Sequence, residues 1–168
     1  MLRTFSDDLK IYNFISWLVI MGKISESIKK FLNAQKLGYV ATVSENGTPN
    51  LSPKGTIIAW DGNTLAFADI RSPNTMRNLE KNPNLEINVV DPLLRKGFRF
   101  KGQGKIIKNG QTYEAILNHY REIGIKSQIG SIVLIEVSEI LEVISPLYDL
   151  GVSEEEMKEK WRKNLLDL

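Results

Sequence analysis

Tyr39-Val40-Ala41-Thr42-Val43-Ser44, Glu45-Asn46-Gly47-Thr48-Pro49, the stretch Asn50 to Trp60, Asp61-Gly62-Asn63, and Thr64-Leu65-Ala66-Phe67-Ala68-Asp69 follow one another without a gap. The first, third and fifth segments read as strands, and the second and fourth as turns built on Asn-Gly and Asp-Gly. Such short connections leave no room for a parallel crossover, so the sheet they begin is antiparallel. Pro53 and Gly55 make the middle arm irregular, because Pro removes a ladder donor and Gly lets another group approach the backbone.

Working outward, Ile24, Ile28, Phe31 and Leu32 recur at helical spacing, and Gly38 reads as the stop of a short covering helix. On the other side, Ser72-Pro73 opens a helix carrying Met76 and Leu79, which ends at Asn82-Pro83. Leu85 to Val90 and Phe98 to Ile107 read as strands, the second with Gly102 and Gly104 where a bulge or bend is expected. Gly110 to Ile123 is a helix with Tyr113, Ile116, Leu117 and Tyr120 on its apolar face, and Ile132 to Val137 is a strand. Ser153 and Glu156 form a capping box for a last helix with Met157, Trp161 and Leu165. The expected fold is a β-rich α+β domain, a closed or nearly closed antiparallel β-barrel with peripheral helices.

The 168 residues suit one domain, and 42% hydrophobic with 25% charged residues argues against a disordered or multi-span chain. A net charge of +2 gives no ground for nucleic-acid or anionic-membrane binding. With no cysteine there is no disulfide framework or thiolate nucleophile, which fits a cytoplasmic protein. The single histidine, His119, makes no zinc site, and beside its helix's apolar stripe it reads as a surface or boundary residue. No metal site and no catalytic side chain is assigned, so chemistry here would come from an organic cofactor. Ile11 to Met21 is apolar but interrupted by Asn13 and Ser16, and it is too short to span a bilayer. Asp7 and Asp8 make a poor secretory leader. Residues 1–20 are therefore expected to be an extension, either preceding a natural start at Met21 or forming an amphipathic helix with Phe14, Trp17, Leu18 and Met21. Residues 21–168 form the single domain.

The first turn of the Ser72 helix offers unpaired N–H groups and a positive dipole end to an anion, with Arg71 placed for a charge-assisted contact and the Ser72 and Thr75 hydroxyls as neutral donors. On spacing alone, a capped surface helix beside a solvated arginine is the commoner outcome. Phe67, Phe98, Phe100 and Trp60 read as core aromatics.

Gly47-Thr48-Pro49-Asn50-Leu51-Ser52-Pro53-Lys54-Gly55 and Leu65-Ala66-Phe67-Ala68-Asp69 resemble the FMN-binding split-barrel family typified by pyridoxamine 5'-phosphate oxidase. Arg71-Ser72, Thr75, Arg77-Asn78-Leu79 and Asn82-Pro83 look like its phosphate-binding loop and helix, and Gly97 to Gly104 like its next strand. The resemblance runs from about Ile24 to Lys108 and more loosely beyond. It implies a homodimer with FMN at the interface and hydride-transfer chemistry on a small molecule. Ser52, Pro53, Lys54, Gly55, Ala68, Asp69, Arg71, Ser72, Thr75 and Asn78 are the implied cofactor contacts. Lys54 would place a cation at the flavin N1/O2 edge, its alternative being an exposed strand lysine. Ala68 and Asp69 would offer main-chain groups to the ring edge, and Asp69 could equally be a turn residue. Tyr148 is a weaker candidate for reaching a substrate. No counterpart of the vitamin oxidase's C-terminal Arg- and His-bearing segment stands in Leu147 to Leu168. The position of Thr75 is commonly Lys in relatives. The alternatives are a non-catalytic flavin-binding or redox-sensing module, or a deazaflavin- or haem-binding member of the same fold.

Overall fold

The computed structural model describes residues 20–21 and 23–166. The extension expected at residues 1–20 lies, apart from Ile20, outside them. Ile20–Met21 (β1) is a two-residue strand set against Ile140 and Glu139, so Met21 does not end a helix. Helix α1 (Glu26–Gln35) begins where the Ser25 hydroxyl accepts a bond from the Ile28 N–H at 3.3 Å, and it buries Ile28 and Leu32. It ends at Lys36, whose φ of 53° supplies the left-handed cap. Gly38 is therefore not the helix stop. It opens β2 (Gly38–Val43), where an added Cβ would lie 2.5 Å from the Ile57 side chain, so close approach explains the glycine.

The single arm expected over Asn50 to Trp60 is in fact two strands, β3 (Pro49–Lys54) and β4 (Ile58–Ala59). Pro53 is tolerated because β3 lies at the sheet edge, where its missing donor deprives no second neighbour. With β5 (Thr64–Asp69), β6 (Asn84–Asp91), β7 (Lys96–Ile107) and β8 (Ser131–Ile144), the order is β3-β2-β6-β7-β8-β5-β4, with β1 beside β8. All pairings are antiparallel. The sheet curls into a half-barrel whose edges are β3 and β4, rather than closing fully. β8 runs for 14 residues, well past the expected Ile132 to Val137. A register shift between Lys101 and Gly102 is the bend expected at the β7 glycines, and a Cβ on Gly102 would meet the Glu136 carbonyl oxygen at 2.2 Å.

Two apolar layers hold this curl. Inside it, Val40, Leu65, Phe67, Ile87, Phe100 and Ile135 are fully buried, with Leu32 of α1 packed against them. Outside it, α3 (Gln111–Glu122) lays Tyr113, Ile116 and Tyr120 over Ile58, Ala66, Ala68 and Ile132. β5 is thus covered on both faces, which is why Leu65-Ala66-Phe67-Ala68 is a continuous apolar run instead of an alternating one. Each fully buried Ile or Phe contributes roughly 1.5–3 kcal/mol. The aromatics are core as expected: Phe98 packs edge-on to Phe31 at 5.2 Å, and Trp60 joins the outer layer beside the half-buried His119.

Helix α2 (Pro73–Lys81) connects β5 to β6 and lies against β2 and β3. At the far end of the chain, a 3-10 turn (Pro146–Leu150) leads to α4 (Glu154–Leu166), started by the Ser153–Glu156 capping box. This tail is fastened to the β6–β7 turn. The Tyr148 hydroxyl donates to the Leu94 carbonyl at 2.7 Å, Arg95 stacks on Trp161 at 4.4 Å, and Lys96 pairs with Glu154 at 2.8 Å. The Tyr148 hydroxyl therefore anchors the tail.

Candidate functional site

The curl brings the C-terminal end of edge strand β3 alongside the end of β5, where the chain turns through Ile70 and Arg71 into α2. A cleft of about 440 Å³ opens there, lined by Pro53, Lys54, Gly55, Ala68, Arg71 and Ser72 together with Thr56, Ile70 and the loop Gly124 to Ser127. Its charged lining residues are Lys54, Arg71 and Lys126, so its chemistry favours an anion.

Lys54 is only 6% exposed, which removes the alternative of a solvated strand lysine. Its Nζ donates to the Ser52 hydroxyl and, at 3.3 Å, to the Pro53 carbonyl, and it lies 5.7 Å from the centre of the Phe67 ring. Among the described residues no carboxylate pairs with it. Burial pushes its pKa below the ordinary lysine value, and the charge of Asp69 opposes that shift. A buried cation with only neutral partners is destabilising until an anion joins it.

Ser72 occupies the N-cap position of α2 but does not cap it. Its hydroxyl donates to Asp69 Oδ1 at 2.9 Å, and the helix has no side-chain cap. Because Pro73 has no N–H, the Asn74 and Thr75 amides carry the donor capacity of this turn. Arg71 is exposed at the cleft mouth, and Arg77 is exposed with its guanidinium near Asn74 Oδ1 at 3.4 Å. Thr75 and Asn78 lie elsewhere: at 1% and 6% exposure they face the β2–β3 hairpin beneath the helix.

Two main-chain groups of Ala68 and Asp69 have partners within the chain. The Ala68 N–H donates to Thr56 Oγ1 at 3.0 Å, and the Asp69 carbonyl accepts the Gly130 N–H at 3.1 Å. Ala68 still borders the cleft with its small side chain, while Asp69 acts as a bracket for Ser72 and, at 3.5 Å, Ser131.

Sequence reasoning missed one whole wall. The Arg121 guanidinium donates to the Ile125 and Ser127 carbonyls at 2.6 and 2.9 Å, holding that loop in place, and the Tyr120 hydroxyl donates to the Thr56 carbonyl at 2.8 Å. Gly124, at a φ of 88°, marks the end of α3, but no pattern in the sequence sets it across from Lys54. A second, apolar groove of about 670 Å³ runs past Ala41, Val43, Pro49, Leu85 and Val137 on the sheet. Among the described residues no cluster of metal ligands forms, and no helix is long and apolar enough to cross a membrane.

A family model for pyridoxamine 5'-phosphate oxidase matches residues 24–141. The solved structure of HupZ from Group A Streptococcus is similar at 31% identity, with a TM-score of 0.66 over 73% of this chain and 95% of that one. An FMN-binding protein from Syntrophomonas wolfei subsp. wolfei shares the fold at a TM-score of 0.63 and 16% identity, over 83% of this chain and 94% of that one. An F420 reductase shares it at a TM-score of 0.54 and 21% identity, over 70% and 98%. No curated protein matches the sequence.

Proposed function

Since the chain belongs to the pyridoxamine 5'-phosphate oxidase family, we propose that it is an FMN-binding flavoprotein that performs redox chemistry on a small molecule. The observation that carries this reading is the cleft itself: it joins a buried lysine that meets no carboxylate among the described residues, an exposed arginine and an uncapped helix turn within one ligand-sized space. Those groups suit a phosphate-bearing, partly apolar cofactor. Arg71 and the amides of the first α2 turn would hold the phosphate, Arg71 through paired donors and the turn through its dipole. Lys54 would hold positive charge against the ring's N1/O2 edge, with Ser52 and Pro53 fixing its ammonium. Gly55 and Ala68, without bulky side chains, leave the ring room to approach the backbone. When bound, FMN supplies hydride acceptance and donation at N5.

A homodimer belongs to the same proposal. The register pairs Tyr39 with Pro53, Ala41 with Leu51 and Val43 with Pro49 across one outward face of the hairpin. Leu51 is 65% exposed, Tyr39 46% and Val43 39%, and the apolar groove adjoins them. A second copy covering this face would bury an apolar stripe that a solitary chain leaves wet.

The test of function is anaerobic reduction of the FMN-loaded protein by nicotinamide donors, followed by reoxidation with a panel of small-molecule acceptors. Multiple turnovers are expected. A flavin that stays bound but is neither reduced nor reoxidised by any pair would replace the enzyme with a non-catalytic flavin module.

A further inference from the structure

Beneath the proposed phosphate turn, four buried or half-buried polar side chains join α2 to the β2–β3 hairpin. Thr42 Oγ1 accepts from Asn50 Nδ2 at 3.1 Å and from Asn78 Nδ2 at 3.0 Å. Asn50 Nδ2 also reaches Thr75 Oγ1 at 3.2 Å. Thr42, Thr75 and Asn78 are 2%, 1% and 6% exposed, and the Thr42–Asn78 bond is buried away from water. Thr75 belongs to the first turn of α2 and Asn78 to the turn after it, which makes this network a two-point attachment of the helix to the hairpin. Met76 and Leu79 add apolar contacts with the core from the same stretch of helix, and the network supplies its polar attachment.

We propose that Thr42 is a positioning residue for the anion site: its hydroxyl oxygen, by receiving both asparagines, fixes where the free amides of the α2 turn and the adjoining Arg71 stand. Thr42 does not line the cleft with Lys54, and its effect passes through Asn50, Thr75 and Asn78. The arrangement also gives Thr75 and Asn78 a role behind the ligand instead of against it. Replacing Thr42 by Val removes the shared acceptor, leaving the buried Asn78 amide without it and Asn50 Nδ2 with Thr75 alone, while Thr42→Ser keeps the oxygen. The inference rests on the reading of the α2 turn as the flavin phosphate site.

The experiment measures dissociation constants for FMN and for riboflavin, which lacks the phosphate, on the full chain. Thr42→Val is expected to weaken FMN about tenfold while leaving riboflavin unchanged, and Thr42→Ser to restore the wild-type ratio. Riboflavin binding reports the intact fold, so a purely structural role for Thr42 would weaken both flavins equally. That result, or an unchanged FMN-to-riboflavin ratio in Thr42→Val, overturns the positioning role. Should Thr42→Val fail to fold, Asn50→Ala severs the same attachment from the half-exposed strand β3, with the same expected loss of FMN preference and the same contrary results. A wild type that binds both flavins equally would overturn the phosphate site itself, and the positioning role with it.

Discussion

The Lys54 ammonium stands 5.7 Å from the centre of the Phe67 ring, held by Ser52 and the Pro53 carbonyl and met by no carboxylate among the described residues. A charge kept in this way is destabilising in the free protein and useful once an anionic ligand arrives.

Replacing Lys54 by Met is therefore expected to have opposite effects on stability and on function. Burial lowers the folded-state pKa below 10.5, so between that lowered value and 10.5 the unfolded chain binds more protons and stability rises with pH. Below that window the charged form carries its full burial penalty. Urea denaturation across alkaline pH should show the rise in the wild type and its absence in Lys54→Met. The same variant should lower the reduction potential of bound FMN, and an unchanged potential would remove Lys54 from the flavin edge.

Arg71→Ala should weaken FMN by about 10- to 100-fold, the scale of a lost charge-assisted contact, while riboflavin affinity stays as it was. Equal weakening of both flavins, measured by fluorescence titration, would deny Arg71 the phosphate.

Tyr120 couples the outer helix to the cleft wall through its bond to the Thr56 carbonyl. Tyr120→Phe leaves that buried acceptor unpaired and should cost about 1–3 kcal/mol in thermal or denaturant unfolding. Burial raises the phenol's pKa above its ordinary 10, and the Thr56 side chain opposes that shift. Its contribution is therefore complete below pH 10 and is lost as the pH climbs past it. Tyrosinate absorbance should show one tyrosine that ionises only as the protein unfolds. Its titration with the exposed phenols would contradict the burial.

Leu51→Glu places a charge in the centre of the outward apolar stripe, between Tyr39 and Val43. Light scattering is expected to show dimers in the wild type and monomers in this variant, with flavin retention falling alongside. A wild type that is monomeric at high concentration would remove the second copy from the site.

Much of this arrangement was legible from the residues, and its failures have physical causes. The hairpin turn at Asn46-Gly47, the bend at Gly102 and the Ser153–Glu156 cap depend on neighbouring residues, and each formed where local chemistry placed it. Gly38 reads as a helix stop because a close approach to Ile57 and a helix stop call for the same residue. The full length of β8 is hidden in the sequence because Ile140 and Leu141 are adjacent and both buried, which breaks the alternation by which a strand is recognised. Pro53 to Gly55 and Arg71-Ser72, which line the cleft, stand out in the sequence through their unusual run and helix-opening pattern. The contacts of Thr75 and Asn78 with the hairpin beneath α2 are not encoded in helical spacing, which gives only their position along the helix. The wall from Gly124 to Ser127 is brought to Lys54 only by the tertiary course of α3, which no local pattern encodes.

The most direct measurement is gel filtration of the protein after incubation with FMN, read by the visible absorbance of the eluted peak. Flavin co-eluting at one FMN per chain, in a peak of dimer size, is the expected result. Protein eluting without flavin absorbance at saturating FMN would contradict the proposed cofactor, and with it the roles given to Lys54 and Arg71.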